Sequence, residues 1–310
     1  MRAVKVIAWL NLIGNLVLVA TGGVVRLTES GLGCTNAVIA CTSSEFFAHD
    51  LHSFIEQGNR GLGVVLGLLA AAAVLLVWRL GGWRGHRVRR DLWVHALILL
   101  AGVVVEATIG ALSVALHLAS WVVGVHYLLS AILVGVATSF VIRAGRLPAA
   151  REHVVAPGMR ILTHVTTFLL AVEVVFGVLT TQTGPHSGDE TVIRDTQLWD
   201  PLVHIHSWIG YGLGVALLVL LISAIVHRER RFTVAVVSVI VAVAVQIAIG
   251  VAQARIALPP LLVGIHMVLA AITVALMVVL VDATKAPLVA ATDAELEDQA
   301  DDGVLNRSVN

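Results

Sequence analysis

Histidines that interrupt long apolar segments are the residues of this chain most suited to chemistry. Of the thirteen histidines, His126, His206 and His266 each follow the start of an apolar segment by about four or five residues. A polar ring in hydrocarbon is costly, so it usually faces the bundle interior, where it bonds a neighbouring helix or serves a function. Two neutral imidazoles on opposite sides of an iron atom are typical of low-spin haem. The three histidines therefore predict haem-iron ligands.

An internal repeat places two of these histidines in equivalent positions. Residues 123–132 match residues 263–272, and at the same offset of 140 residues 108–110 match 248–250 and Glu106 matches Gln246. Two apolar helices can look alike by composition alone, but a Gly-x-His in the same register favours duplication of one unit. His126 and His266 are then equivalent ligands, one in each copy.

The second copy supplies a candidate pair of haem ligands. His206 and His266 are predicted at a similar depth, about 6–8 Å inside the same membrane boundary at a rise of 1.5 Å per residue. They are therefore expected to ligate one iron from both sides. His204 lies two residues from His206 and faces another side of the helix. His204 is interpreted as a group that contacts the iron-binding histidine or a haem propionate. It is the iron ligand itself if the register of the helix differs from the predicted one.

The first copy supplies only part of such a pair. Aligning residues 59–63 with residues 206–210 puts Asn59 in the place of His206. Asparagine is a poor iron ligand, so a haem here would be held by His126 alone or with a weak sixth ligand. Glu56 lies one turn before Asn59 on the same helical face. The pattern predicts an electron-transfer site in the second copy and an open site with a carboxylate, suited to a reaction, in the first.

Eight apolar segments of about 20 residues carry these groups, and each is long enough to cross a bilayer. They are predicted at residues 6–26, 55–78, 93–116, 121–142, 161–182, 203–226, 233–254 and 261–282. The composition agrees, with 58% hydrophobic and 13% charged residues, and the formal net charge of zero gives no electrostatic case for binding nucleic acid. Basic residues concentrate at the N-terminus and after the second, fourth and sixth segments. This pattern predicts a multi-pass cell-membrane protein with both termini in the cytoplasm.

The expected fold class is all-α integral membrane, with eight transmembrane helices arranged as two pseudo-twofold-related four-helix bundles. An even number of helices in each copy gives both copies the same orientation, as in a parallel repeat about an axis along the membrane normal. The predicted division is 1–150 for the N-terminal half, 151–285 for the C-terminal half and 286–310 for an acidic cytoplasmic tail. The tail lacks apolar periodicity and is predicted to be disordered.

Charged groups near the predicted sites leave alternatives open. Arg26 and Arg60 lie at the outer ends of the first two segments, where they either pair with haem propionates or extend to the membrane interface. Glu106 and Glu173 lie within segments, and each is interpreted as a structural hydrogen-bonding group or as a proton relay.

The two cysteines of the chain, Cys34 and Cys41, both fall in the first outer loop. Disulfides form outside the cytoplasm, and the short separation allows the loop to close. A disulfide there is interpreted as a structural staple or as a group with a redox or haem-handling role.

The motifs of the first copy resemble those of the haem A synthase family. Residues 21–34 (TGGVVRLTESGLGC) are similar to the family signature at the first helix and loop, and residues 55–60 (IEQGNR) resemble its Glu-x-x-His-Arg motif. The likeness extends over about residues 8–282. It implies oxidation of the C8 methyl group of haem O to a formyl group, which makes haem A for terminal oxidases.

The resemblance also implies roles for individual residues. A haem b cofactor would lie between His206 and His266, and the substrate haem O would be bound at His126 with Glu56 as the catalytic carboxylate. Asn59 departs from the histidine of the family motif, which leaves the substrate iron with a vacant or weakly bound position. The cysteine pair matches one found in part of the family. The implied partners are a haem O synthase, terminal oxidase assembly partners, an electron donor and the lipid bilayer.

Two other functions fit parts of the pattern. A non-catalytic dihaem b-type cytochrome that passes electrons from quinol would require two bis-histidine haems, which Asn59 argues against. A membrane transporter is also built from parallel repeats, but it would be expected to carry broken helices with prolines or paired charges in mid-segment. Between about residues 161 and 254 the segments contain no proline.

Overall fold

The computed structural model describes residues 1–33, 51–80, 89–146 and 151–287. These residues form eight helices and two short strands: α1 Arg2–Leu27, α2 Leu51–Arg79, α3 Arg90–Ala115, α4 Ser120–Ala144, β1 Arg151–His153, α5 Pro157–Thr183, α6 Trp199–Val226, α7 Arg230–Arg255, α8 Pro260–Ala283 and β2 Lys285–Pro287. All eight helices are long and apolar enough to cross a membrane. The predicted all-α membrane fold is confirmed.

Each predicted segment corresponds to one helix, and most of the helices extend a few residues beyond it. Backbone N–H and C=O groups have no water to bond in hydrocarbon, so an apolar segment satisfies them internally as a helix. The helix can therefore continue beyond the apolar segment into the residues at the membrane interface. Pro157 and Pro260 open α5 and α8, where a missing N–H costs nothing because the first helical turn leaves it unpaired.

The helices pack as two four-membered rings. In the first half, α1 contacts α2 and α4, and α3 contacts α2 and α4; α5 to α8 form the same closed ring in the second half. Each half has its own apolar core, which includes Leu66 and Phe140 in the first and Leu217 and Phe232 in the second. Contacts between the halves are made by α1, α4, α5 and α8. The twofold relation between the halves stays a prediction.

The backbone repeats at the offset found in the sequence. His117 and Leu118, between α3 and α4, have φ angles of 49° and 55°, and Ala257 and Leu258, between α7 and α8, have 58° and 55°. Non-glycine residues in this left-handed region are uncommon, and bulky ones are strained. The Leu118 N–H donates to the Ser113 carbonyl at 2.7 Å and the Leu258 N–H to the Gln253 carbonyl at 2.9 Å. Two strained turns built alike, 140 residues apart, support the duplication.

One hydrogen bond joins the two repeat-equivalent helices next to the candidate ligands. The Tyr127 hydroxyl on α4 donates to the main-chain carbonyl of Met267 on α8 at 2.8 Å. Tyr127 directly follows His126, and Met267 directly follows His266. The two histidine-bearing turns are therefore held at one level, with the halves in direct contact there.

Several arginines contact one carboxylate at the end of the bundle where α1 begins. We call this end of the bundle the basic end. Asp282, near the end of α8, accepts hydrogen bonds from Arg146 and Arg151, at 2.6 Å and 2.7 Å from its Oδ1, and from Arg231 at 3.2 Å. β1 pairs antiparallel with β2 beside it, with Glu152 opposite Ala286. The sequence analysis did not predict these strands. They connect the segment before α5 to the residues after α8.

Asp282→Asn is expected to destabilise the protein by about 1–3 kcal/mol, because three guanidinium groups lose their shared negative charge in a partly buried setting. The measurement is the apparent melting temperature of the detergent-solubilised protein, which should fall. Arg231→Ala is the matched control, since the Arg231 side chain is 56% exposed and an exposed pair contributes about 0–1 kcal/mol. Equal melting temperatures for Asp282→Asn and the wild type would contradict this role.

Candidate functional site

His206 and His266 face each other inside the second half. His206 is the eighth residue of α6 and His266 the seventh residue of α8. Their ring centroids are 6.2 Å apart and the ring planes are inclined by 75°. A metal–imidazole bond of about 2 Å, with roughly 1 Å from the nitrogen to the ring centre, puts trans imidazoles on one iron roughly 6 Å apart between centres. The pair fits the axial ligands of a haem iron.

Glycines on the neighbouring helices make room for the histidine rings. A Cβ atom at Gly177 on α5 would lie 3.0 Å from Cε1 of His206, and one at Gly250 on α7 would lie 3.1 Å from Cε1 of His266. In the first half, a Cβ at Gly110 on α3 would lie 3.5 Å from Cε1 of His126. The rings therefore pack directly on a glycine backbone. The sequence analysis did not assign this role, although Gly110 and Gly250 share the 140-residue offset of the histidines they contact.

Carboxylates contact two of the three rings at Nδ1. Glu173 Oε1 on α5 lies 3.2 Å from Nδ1 of His206. Glu106 on α3 contacts Nδ1 of His126 through Oε2 and accepts a 2.7 Å hydrogen bond from the Ser130 hydroxyl through Oε1. Both are ion-pair contacts without hydrogen-bond geometry, since Nδ1 of His126 and Nδ1 of His206 have no hydrogen-bond partner among the described residues. A carboxylate at Nδ1 would favour a proton there and would leave the lone pair at Nε2, the nitrogen that a metal would take.

The first half carries an ion pair and an amide in place of a second histidine. Glu56 on α2 is 4% exposed and its carboxylate pairs with Arg60 one turn later. Asn59 lies between them in the sequence, and its Oδ1 accepts a 2.7 Å hydrogen bond from the Thr21 hydroxyl on α1. The helices α1 and α2 thus fix the amide and the carboxylate beside each other.

Arg26 joins the first half to the second. Its Nε donates to the His186 carbonyl at 2.9 Å and its Nη2 to the Thr181 carbonyl at 2.6 Å. With the Gln182 amide turned so that its oxygen faces the guanidinium, Nη1 donates to that oxygen at 2.9 Å. Every guanidinium nitrogen then has a protein partner on or just after α5. Propionate pairing by Arg26 stays a prediction, and it would have to use the remaining N–H groups.

The segment between α5 and α6 lies across both halves at the end of the bundle opposite the basic end. The Gly31 N–H donates to the Gly188 carbonyl at 2.8 Å, and Arg194 donates to the Leu118 carbonyl at 2.9 Å. Burial lowers the pKa of Arg194, yet at neutral pH an arginine stays charged. These bonds fix the chain over the ends of the helices that carry the candidate ligands.

The other predicted site residues are placed differently. His204 is exposed on α6, on another side of the helix from His206, and its role stays a prediction. Cys34 and Cys41, with their predicted disulfide, lie outside the described residues, and so does most of the acidic tail at 286–310.

Eight apolar helices, paired intramembrane histidines and a buried glutamate in the opposite half define a multi-pass membrane protein with sites suited to haem. The COX15-CtaA family, described as cytochrome oxidase assembly protein, matches residues 42–278. The chain belongs to this family.

Named relatives agree with the family. The chain is 25% identical over 244 residues to the haem A synthase of Bacillus licheniformis, which covers 74% of this chain and 77% of the relative. It is 27% identical over 133 residues to the haem A synthase of Halalkalibacterium halodurans, which covers 42% of this chain and 43% of the relative.

Proposed function

We propose that this chain is a haem A synthase, which oxidises the C8 methyl group of haem O to a formyl group and so supplies haem A to terminal oxidases. The observation that carries the proposal is the difference between the halves. The second half has two histidines that face each other with ring centroids 6.2 Å apart, a spacing at which both could hold one iron. The first half has one equivalent histidine, an asparagine in place of the other, and a buried glutamate.

In this proposal the second half holds a resident haem b between His206 and His266. When bound, haem b supplies one-electron transfer. Glu173 contacts Nδ1 of His206, which would leave Nε2 for the iron, and the glycines at 177 and 250 let both rings lie close to the neighbouring helices. His206 and His266 would both hold the haem, which would suit a centre that passes electrons and does not bind a substrate.

The first half receives haem O as the substrate, with His126 as its ligand. Asn59, which the repeat aligns with His206, accepts a hydrogen bond from the Thr21 hydroxyl and is a poor iron ligand, so no second strong ligand for the substrate iron is proposed among the described residues. Conversion of a methyl to a formyl group is a four-electron oxidation. With O2 as the oxidant, two successive oxygenations balance as R–CH3 + 2 O2 + 4 e⁻ + 4 H⁺ → R–CHO + 3 H2O, with the electrons supplied by the donor. The reaction therefore needs both an electron path and a group that transfers protons.

Glu56 is the group proposed to serve that chemistry. Its pairing with Arg60 orients the carboxylate. An ionised carboxylate in a buried site takes up a proton from the reacting group or stabilises positive charge that develops at the methyl carbon. Arg60 itself is proposed to extend toward a propionate once the substrate is bound.

The proposed setting follows from the distribution of basic residues. The basic end of the bundle, with Arg146, Arg151 and Arg231 around Asp282, faces the cytoplasm of a cell-membrane protein. The histidine turns then lie near the outer face. A haem O synthase that delivers the substrate, a terminal oxidase that receives the product and an electron donor are the proposed partners.

The test is to co-express the full chain with a haem O synthase in a host that makes no haem A, and to separate the haems extracted from the purified protein. Haems B and A together are the expected result. Haems B and O without haem A would overturn the proposal in favour of a dihaem cytochrome, and colourless protein would overturn it entirely.

A further inference from the structure

We propose that Glu106 is a positioning residue for His126, and that the Glu106/Gln246 difference between the repeats gives the two haem sites axial ligands of different donor strength. The inference rests on the proposed function in one respect, that haem iron is bound at His126 and His266. It assigns to Glu106 and Gln246 roles that concern the iron and not the reacting carbon.

The first step is the position of Glu106. Glu106 is 6% exposed. Each of its two carboxylate oxygens contacts a different residue of α4. Oε1 accepts from the Ser130 hydroxyl at 2.7 Å and Oε2 contacts Nδ1 of His126. A carboxylate fixed on one side by a hydroxyl cannot turn freely, so it holds the ring of His126 at Nδ1. Cε1 and Nε2 of the ring lie against α3, 3.5 Å and 3.8 Å from where a Cβ at Gly110 would be.

The second step is the contrast at the equivalent position. Gln246 on α7 does not hold the ring of His266 in this way. Its Nε2 donates to the main-chain carbonyl of His266 at 2.9 Å. Among the described residues, Nδ1 of His266 has no hydrogen-bond partner and no carboxylate contact, whereas Nδ1 of His126, which also has no hydrogen-bond partner, is contacted by Glu106 Oε2. Both halves therefore have a polar side chain at this position. Only in the first half does a carboxylate at this position contact the histidine ring.

The third step is what the charge does. A carboxylate that accepts the ring N–H raises the basicity of a metal-ligating histidine and fixes its orientation. A more basic ligand stabilises ferric over ferrous iron, so it lowers the reduction potential of the haem. Glu106 is thus expected to make His126 a stronger electron donor to the substrate iron than His266 is to the resident iron.

The primary experiment is an anaerobic optical redox titration of the full chain, purified with haem in both halves. The A-type and B-type haems are followed separately at their own absorption bands. Glu106→Gln should raise the potential of the first-half haem enough to increase its ferrous-to-ferric ratio about tenfold at fixed ambient potential, or about 59 mV. The second-half haem should not change. An unchanged first-half potential would overturn the proposal.

The reciprocal variant covers the case in which Glu106→Gln fails to retain haem in the first half. Gln246→Glu should lower the potential of the second-half haem, with a similar fold-change in the opposite direction. Glu106→Asp, which keeps the charge, should lie closer to wild type than Glu106→Gln does. If Gln246→Glu leaves the second-half potential unchanged, carboxylate donor strength is not what this position controls.

The outcomes separate this inference from the proposed function. If haem A forms normally but neither potential moves, the enzyme assignment stands and the role of Glu106 is wrong. If no haem A forms, the two haems share their absorption bands and are followed as two midpoint components of one titration. When one component rises in Glu106→Gln and the other falls in Gln246→Glu, the positioning role stands and the proposed oxidation is wrong.

Discussion

Glu56→Gln should reduce haem A formation by about 10²–10⁴-fold, the range that a positioned acid–base group contributes, while the haem b spectrum of the second half stays unchanged. Glutamine has nearly the shape of glutamate and can still accept a hydrogen bond from Arg60. It cannot take up a proton from the substrate or balance positive charge at the methyl carbon. The loss should therefore appear in the reaction and not in the binding of haem O.

The measurement is the ratio of haem A to haem O extracted from the purified variant after co-expression with a haem O synthase. Glu152→Gln is the matched control, because Glu152 is an exposed carboxylate on β1 and its loss should leave the ratio as in wild type. Glu56→Gln protein that holds haem B and haem A in wild-type amounts would exclude a catalytic role for this carboxylate.

The helices were largely predictable because hydrocarbon imposes one simple requirement on the backbone. A run of apolar residues must satisfy its own hydrogen bonds, so the eight segments could be recognised from length and composition alone. The short β1–β2 pair was not predictable in the same way. Its residues Arg151–His153 and Lys285–Pro287 lie far apart in the sequence, and they pair only because α5 and α8 bring them to the same end.

The candidate ligands were predictable for a different reason, which is that the repeat fixes their register. His126 and His266 could be matched by the offset of 140 residues, and the facing of His206 and His266 followed from their similar depth. The partners of these rings were not predictable. Which ring Glu106 and Glu173 contact depends on the helix that faces each carboxylate, and only the packing of α3 on α4 and of α5 on α6 shows that. Their roles as structural groups or relays stay predictions.

The partners of Arg26 could not be predicted from its depth in the membrane alone. Its place at the end of a segment suggested a propionate or the membrane interface as its partner. The structure directs its guanidinium to the carbonyls of Thr181 and His186, which belong to the other half of the chain. No local pattern around residue 26 contains that information, because the partner residues are about 160 positions away.

Removal of either ring of the facing pair should abolish the low-spin spectrum of the second-half haem. In His206→Ala and in His266→Ala one of the two imidazoles is lost, and low-spin haem b requires both. The low-spin haem b bands of each variant should fall to background, and His126→Ala should keep them, because its ring lies in the other half. The measurement is the low-spin haem b absorption per protein of the purified variants.

His204→Ala is the control that distinguishes His206 from His204 as the ligand on α6. His204 and His206 are the same residue type on the same helix, two positions apart, but His204 is exposed whereas His206 lies 6.2 Å from His266 between ring centroids. Two residues along a helix correspond to a rotation of roughly 200°, so only one of the two rings can face His266. His204→Ala should therefore retain haem b fully. If His204→Ala lost the haem and His206→Ala kept it, the register of α6 would be wrong by half a turn, and the pairing of α6 with α8 as the haem-binding surface would have to be abandoned.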